Sequence, residues 1–141
     1  MKTLDAISTI MSTNLITLKR EDDLETAELF FKRHKIRHIP VVAKDTIIGM
    51  LSYTDLLRIS FADAVDESET EVESMVYNMF TIEQVMAKNV VTVTSDATIK
   101  EVAQILAQKE FHALPVVDSN RLVGIVTTTD LIQYLLKRLE E

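Results

Sequence analysis

Twice in this 141-residue chain an apolar run ends in hydroxyl residues and an aspartate: Gly49-Met50-Leu51-Ser52-Tyr53-Thr54-Asp55 and Gly124-Ile125-Val126-Thr127-Thr128-Thr129-Asp130. Each reads as a strand that hands over to a helix beginning near its aspartate. Ser52 and Thr54 lie two apart, so an extended chain points both hydroxyls the same way. The helix start beside them offers free backbone N–H groups and a positive dipole end, a natural seat for an anion. An aspartate at the same place accepts hydrogen bonds of the kind a vicinal diol donates. Hydroxyls for phosphate and a carboxylate for ribose make a nucleotide-shaped set. Thr54-Asp55 and Thr129-Asp130 also suit plain helix capping, and on these residues alone both readings stand.

A basic stretch, Lys32-Arg33-His34-Lys35, leads into Arg37-His38-Ile39-Pro40, and the second copy offers His112-Ala113 in place of Arg37-His38. The first four residues read as a solvated helix end, where cations suit the dipole. His34 and His38 are four apart, but a helix-to-strand change between them breaks any shared face, so no zinc site is expected. Two glycines 75 residues apart make no phosphate-cradling loop. Without cysteine there is no disulfide, thiolate metal site or thiol nucleophile, and no Ser-Gly elbow appears. Catalysis therefore finds no constellation. A net charge of −7 argues against nucleic acid, whose binding rests on neutralising phosphates. A small anionic ligand needs only a local cluster. No apolar run approaches the roughly 18 residues of a membrane span. The first residues hold an early acid and no hydrophobic signal core, which predicts a cytoplasmic setting.

The elements that must carry these residues come in duplicate. Pro40 and Pro115 are 75 apart, as are Gly49 and Gly124, and residues 10 to 59 slide onto 85 to 134 without a gap. Such register means two copies of one supersecondary unit. In the first copy Leu4 to Met11 reads as a short helix, and Leu15 to Leu18 as a buried strand. Asp22-Asp23-Leu24-Glu25 opens a helix whose apolar face is Leu24, Ala27, Phe30 and Phe31. Ile39–Ala43 and Thr46–Leu51 form a hairpin across Lys44-Asp45, and Tyr53-Thr54-Asp55 starts a second helix. The second copy repeats the order: a strand at Val90 to Val93, a helix marked by Ile99, Val102, Ala103 and Leu106, a hairpin, and a final helix from Thr129-Asp130. The predicted boundaries are 1–64 for the first copy, 65–80 for an acidic linker and 81–141 for the second copy. In and beside the linker, Asp63 to Glu73 reads as solvated, with no EF-hand pattern among Glu67, Glu69, Glu71 and Glu73. Val72, Met75, Val76, Tyr77, Met79 and Phe80 provide apolar surface to pack on the module or to form a dimer contact.

Two copies of Met-…-Thr-…-Pro-Val-Val-…-Gly-x-x-(Ser/Thr)-x-Thr-Asp-Leu in β-α-β-β-α order resemble a tandem pair of CBS domains, a Bateman module, over about Ser8 to Lys137. The resemblance implies an α+β fold in which two repeats pack about a pseudo-two-fold axis, with clefts for adenosine-containing ligands. It implies that Asp55 and Asp130 bind ribose hydroxyls, and that Thr54, Thr129, Ser52 and Thr127 contact phosphate or ribose. It places Asn14, Leu15, Ile16 and Thr17, and Asn89, Val90, Val91 and Thr92, along the adenine pocket. Arg37, His38 and His112 would reach phosphate. The copies differ there, so the two sites are expected to be unequal, with an anionic ligand held tighter where Arg37 reaches. The expected protein is a regulatory, ligand-sensing homodimer rather than an enzyme. It would take AMP, ADP, ATP or S-adenosylmethionine as regulatory ligand, hold no cofactor or metal, and act on a separate protein partner. A structural or interaction module with empty clefts is the alternative, and nucleic-acid binding through Lys32 to His38 comes third.

Overall fold

The computed structural model describes residues 5–63, 79–109 and 111–140. The acidic residues 64–73, with Val72, Met75, Val76 and Tyr77, lie outside the described residues. In the first copy β1 (Leu18–Lys19) pairs parallel with β2 (His38–Ala43), which pairs antiparallel with β3 (Thr46–Ser52). Helix α1 (Leu24–His34) connects β1 to β2, and α2 (Tyr53–Asp63) follows β3 directly. The second copy has α3 (Ile82–Val85), α4 (Ile99–Lys109), the hairpin β4 (Ala113–Asp118) and β5 (Arg121–Thr127), and α5 (Thr128–Leu139). The architecture is α+β, with a three-stranded and a two-stranded sheet.

Local chemistry accounts for these elements. The Asp23 carboxylate accepts the Thr26 amide at 2.8 Å and caps α1, which buries Leu24, Ala27 and Phe31. The helix stops at Lys35, whose φ of 53° is left-handed and whose amide returns to the Phe31 carbonyl. Both hairpins turn in two residues, and both shift register between the two valines of the Pro-Val-Val run, at Val41/Val42 and Val116/Val117. Ser119 and Asn120 both have positive φ, as a twist-matched two-residue turn demands.

The compact units do not follow the repeat boundaries. One unit comprises residues 16–90, and the other residues 1–15 with 91–141. Ile82 and Met86 join the core of Leu18, Leu24, Ile39, Val41, Leu51 and Leu56. Ile7 joins the core of Val93, Val102, Leu114, Val116 and Val126. Each such side chain, fully buried, contributes about 1.5–3 kcal/mol. Each copy therefore gives its opening segment to the unit built on the other copy's hairpin. Backbone ladders fix the exchange: Met50 and Ala87 trade two hydrogen bonds at 3.0 and 2.9 Å, and Ser12 and Ile125 do the same at 2.8 and 3.0 Å.

The exchange explains the paired glycines. Neither has a positive φ; both lie under a methionine. A Cβ on Gly49 would sit on the Met86 sulfur and 2.9 Å from the Ala87 carbonyl oxygen, and one on Gly124 would be 2.6 Å from the Met11 sulfur. Three expected elements are shorter than their sequence patterns. The predicted helix at Leu4 to Met11 is one 3₁₀ turn, Ile7–Thr9. The predicted strand at Leu15 to Leu18 is only Leu18–Lys19. That at Val90 to Val93 is a single parallel bridge from Val93 to Val116. Ile7, Ile10 and Met11 pack across the exchange, whereas Leu18 and Val93 are buried against their own copies' hairpins with little or no ladder.

Candidate functional site

In each unit the hairpin, the helix that follows it and the residue before the hairpin converge at one end. In the unit of residues 16–90, His38 pairs with Ser52, and the Tyr53 amide donates to the Arg37 carbonyl at 2.8 Å. Arg37 and His38 are thereby tied to the first turn of α2. The parallel register of Leu18 with Val41 brings Thr17 alongside Pro40 at the same end of the sheet. The other unit repeats this: Ala113 pairs with Thr127, the Thr128 amide donates to the His112 carbonyl at 3.0 Å, and the Val93–Val116 bridge brings Thr92 alongside Pro115.

The first helical turns define the chemistry. Thr127 caps α5: its hydroxyl accepts the Asp130 amide at 3.1 Å, while its own amide donates to Asp130 Oδ2 at 2.9 Å. In α2 the Ser52 hydroxyl accepts the Asp55 amide at 3.0 Å. Asp55 Oδ1 then meets Arg58 at 3.3 Å, an exposed i,i+3 pair. Capping thus falls to Ser52 and Thr127, with Thr54, Asp55, Thr129 and Asp130 inside the helices. The expectation that Ser52 and Thr54 project together from a strand fails, because β3 ends at Ser52 and Tyr53 is already helical.

What remains is a matched set. Among the described residues one oxygen of each aspartate, Asp55 Oδ2 and Asp130 Oδ1, has no partner. The amides of Thr54 and Thr129 likewise have none, and both threonines are exposed. Arg37 is exposed and has no carboxylate partner among the described residues. An unpaired carboxylate oxygen, an exposed hydroxyl and a free amide at a helix start are suited to a diol beside an anion.

The adenine-lining expectation meets a division that sequence reading missed. The boundary between units runs between Leu15 and Ile16 and between Val90 and Val91. Asn14, Leu15, Val91 and Thr92 thus belong with Asp130, and Ile16, Thr17, Asn89 and Val90 with Asp55. The Met–Gly matches at spacing 75 were the available signal: Met11 and Met86 are the residues that reach Gly124 and Gly49. Sequence reading also passed over Lys137 and Arg138, which share a groove with Asp130 and are seven and eight residues beyond it. Among the described residues no helix is long and apolar enough to cross a membrane, and no three metal-ligating side chains cluster.

The model of the CBS domain matches residues 7–62 and 82–137. An uncharacterized protein, MJ1225, of Methanocaldococcus jannaschii is 30% identical over 132 residues; these make up 93% of this chain but 43% of that protein. The fold is similar to that of an acetoin utilization protein (AcuB) from Vibrio cholerae, with a TM-score of 0.80 and 27% identity over 97% of this chain and 94% of that one. It is also similar to the CBS domain pair of protein MJ0100 in complex with 5′-methylthioadenosine and S-adenosyl-L-methionine, at a TM-score of 0.78 and 25% identity, covering 96% of this chain and 98% of that one.

Proposed function

We propose that this chain, which belongs to the CBS domain family, is a regulatory module that binds an adenosine-containing ligand through Asp55 and Asp130 rather than an enzyme. The observation that carries the reading is the duplicated first turn. At both places an aspartate keeps one oxygen unpaired beside an exposed threonine and an unbonded amide. The ribose diol donates to the carboxylate, and the amide and hydroxyl take the ligand's anionic or polar 5′ substituent. Arg37 adds a cation beside the first site, where the second has His112, so the sites differ in their grip on phosphate. The adenosine compounds bound by the MJ0100 domain pair support the ligand class. Ligand occupancy then biases which arrangement of the module a protein partner reads.

The test is titration calorimetry with AMP and S-adenosylmethionine on wild type, Asp55→Ala, Asp130→Ala and the double variant. A charge-assisted hydrogen bond contributes about 1.5–3 kcal/mol, so each substitution should weaken its site roughly 10- to 150-fold. Unchanged affinity in a folded double variant would leave the aspartates a purely structural role.

Self-association belongs to the same proposal. On α5, Ile132, Leu135, Leu136 and Leu139 are each more than half exposed, at helical spacings that form one stripe. A second copy of the chain covers that stripe, and Leu136→Glu should shift sedimentation from dimer to monomer. The stripe also favours a second reading, an interaction module with no physiological nucleotide. Dimerisation without any adenosine binding in the calorimeter would select it.

A further inference from the structure

Beyond Asp130, helix α5 carries polar groups that the adenosine site does not use. Asp130, Gln133, Tyr134, Lys137 and Arg138 fall on one helical face, and with the turn at Thr9 and Ile10 they line an open groove of about 370 Å³. All of these residues lie in one compact unit. Such a volume falls within the usual range for small-molecule sites, about 300–1,000 Å³.

The groove is polarised. One end holds the unpaired oxygen of Asp130. The other holds two cations, seven and eight residues along, about 10–12 Å away at an α-helical rise of about 1.5 Å per residue. Arg138 lies 5.7 Å from the centre of the Tyr134 ring, a cation–π distance that holds the guanidinium beside the groove. The Tyr134 hydroxyl in turn donates to Asp5 Oδ2 at 3.5 Å, which ties the ring to the opening segment. Lys137 is exposed and has no carboxylate partner among the described residues. A fork of guanidinium donors and an adjacent ammonium match phosphate oxygens, and the Gln133 amide adds a neutral donor.

We propose that this groove is an oligophosphate subsite, in which Lys137 and Arg138 hold the distal phosphates of a diphosphate or triphosphate. Where the ligand is a nucleotide, this rests on the adenosine reading, because its ribose occupies Asp130. A 5′-monophosphate ends near the ribose, whereas a second or third phosphate carries charge along the helix towards the cations. Inorganic pyrophosphate has the same anionic chemistry without the nucleoside. The groove thus sets a preference for di- and triphosphates over monophosphates and over S-adenosylmethionine.

The experiment is calorimetry on the full chain with AMP, ADP and inorganic pyrophosphate, using wild type, Asp130→Ala and the double variant Lys137→Ala/Arg138→Ala. The expected result is a roughly 10- to 100-fold loss of ADP affinity in the double variant, a parallel loss for pyrophosphate, and AMP affinity within about twofold of wild type. An unchanged thermal midpoint in the double variant establishes that the fold is intact, and Arg138→Lys serves as a milder second variant if it is not. ADP binding that is tighter than pyrophosphate binding and falls with Asp130→Ala identifies a nucleotide tail. Equal binding of the two identifies free oligophosphate. If ADP and pyrophosphate both ignore the loss of the cations, or neither binds, the subsite is overturned. AMP binding that depends on Asp130 would still stand in that case. If AMP fails to bind while pyrophosphate responds to the cations, the adenosine reading falls and the subsite survives.

Discussion

Gly49→Ala and Gly124→Ala make the same chemical change at equivalent positions of the two copies, yet they should differ in cost. At Gly49 the added methyl meets the Met86 sulfur and, 2.9 Å away, the carbonyl oxygen of Ala87. That carbonyl cannot retreat freely, because it accepts the Met50 amide at 3.0 Å while the Ala87 amide donates back at 2.9 Å. At Gly124 the three nearest atoms all belong to the Met11 side chain, from 2.6 to 3.1 Å. A methionine can change rotamer. Overpacking costs about 1–3 kcal/mol, and replacing glycine returns about 0.4–1 kcal/mol through the unfolded chain where strain is absent. Gly49→Ala should therefore lose about 2 kcal/mol, and Gly124→Ala less than about 1 kcal/mol. In a chain of this size about 2 kcal/mol corresponds to a fall of roughly 4–8 °C in thermal midpoint. Scanning calorimetry on both variants, with Met11→Ala added to Gly124→Ala as a relief control, measures the difference. If Gly124→Ala proves as damaging as Gly49→Ala, a rigid backbone contact does not govern the cost.

Thr127→Ala removes half of a reciprocal cap and should destabilise by about 1 kcal/mol. Ser52→Ala, which loses one bond at 3.0 Å, should cost less by urea denaturation. Asp118 accepts both the hydroxyl and the amide of Ser95, which hold its carboxyl below the ordinary value near 3.8. The Thr26 hydroxyl, and then its amide, do the same for Asp23. The folded values are depressed, so these groups stabilise the protein above about pH 4 and stop doing so as pH falls through their folded values. Ser95→Ala should move the Asp118 midpoint up in a carbon-detected NMR titration, and no upward movement refutes the assignment. Deleting residues 1–15 should abolish hydrogen-exchange protection in β4 and β5 while β2 and β3 retain it. Uniform loss across both hairpins would show that the two units do not have separate cores.

The hairpins and long helices were legible because their signals are local. Alternating apolar residues, a two-residue turn and an acid at a helix start each act within a few positions. The duplicated Thr-Asp was legible for the same reason, although its capping partner was misassigned: Ser52 and Thr127 looked like strand ends, and hydrogen bonding made them caps. The first strands misled because Leu15 to Leu18 and Val90 to Val93 bury only Leu18 and Val93, and a short apolar run reads as a strand whether or not its backbone joins a ladder. The division between Leu15 and Ile16 arises from contacts some 90 to 130 residues away in sequence, such as the Ile7 amide on the Ala97 carbonyl and Tyr134 on Asp5. No window of local sequence carries that information.

The exchanged segments also impose a timetable on synthesis. Residues 16–90 form an unbroken stretch, so that unit has all its chain once Val90 is clear of the ribosome. The opening segment, which belongs with residues 91–141, has no such opportunity. Ile7 waits for Ala97, Met11 for Gly124, and Asp5 for Tyr134. At about 5–20 residues per second the opening segment remains unpaired for several seconds or more, with its apolar side chains presented to whatever is nearby. Within the unit it joins, the residues made earliest wait longest for their partners.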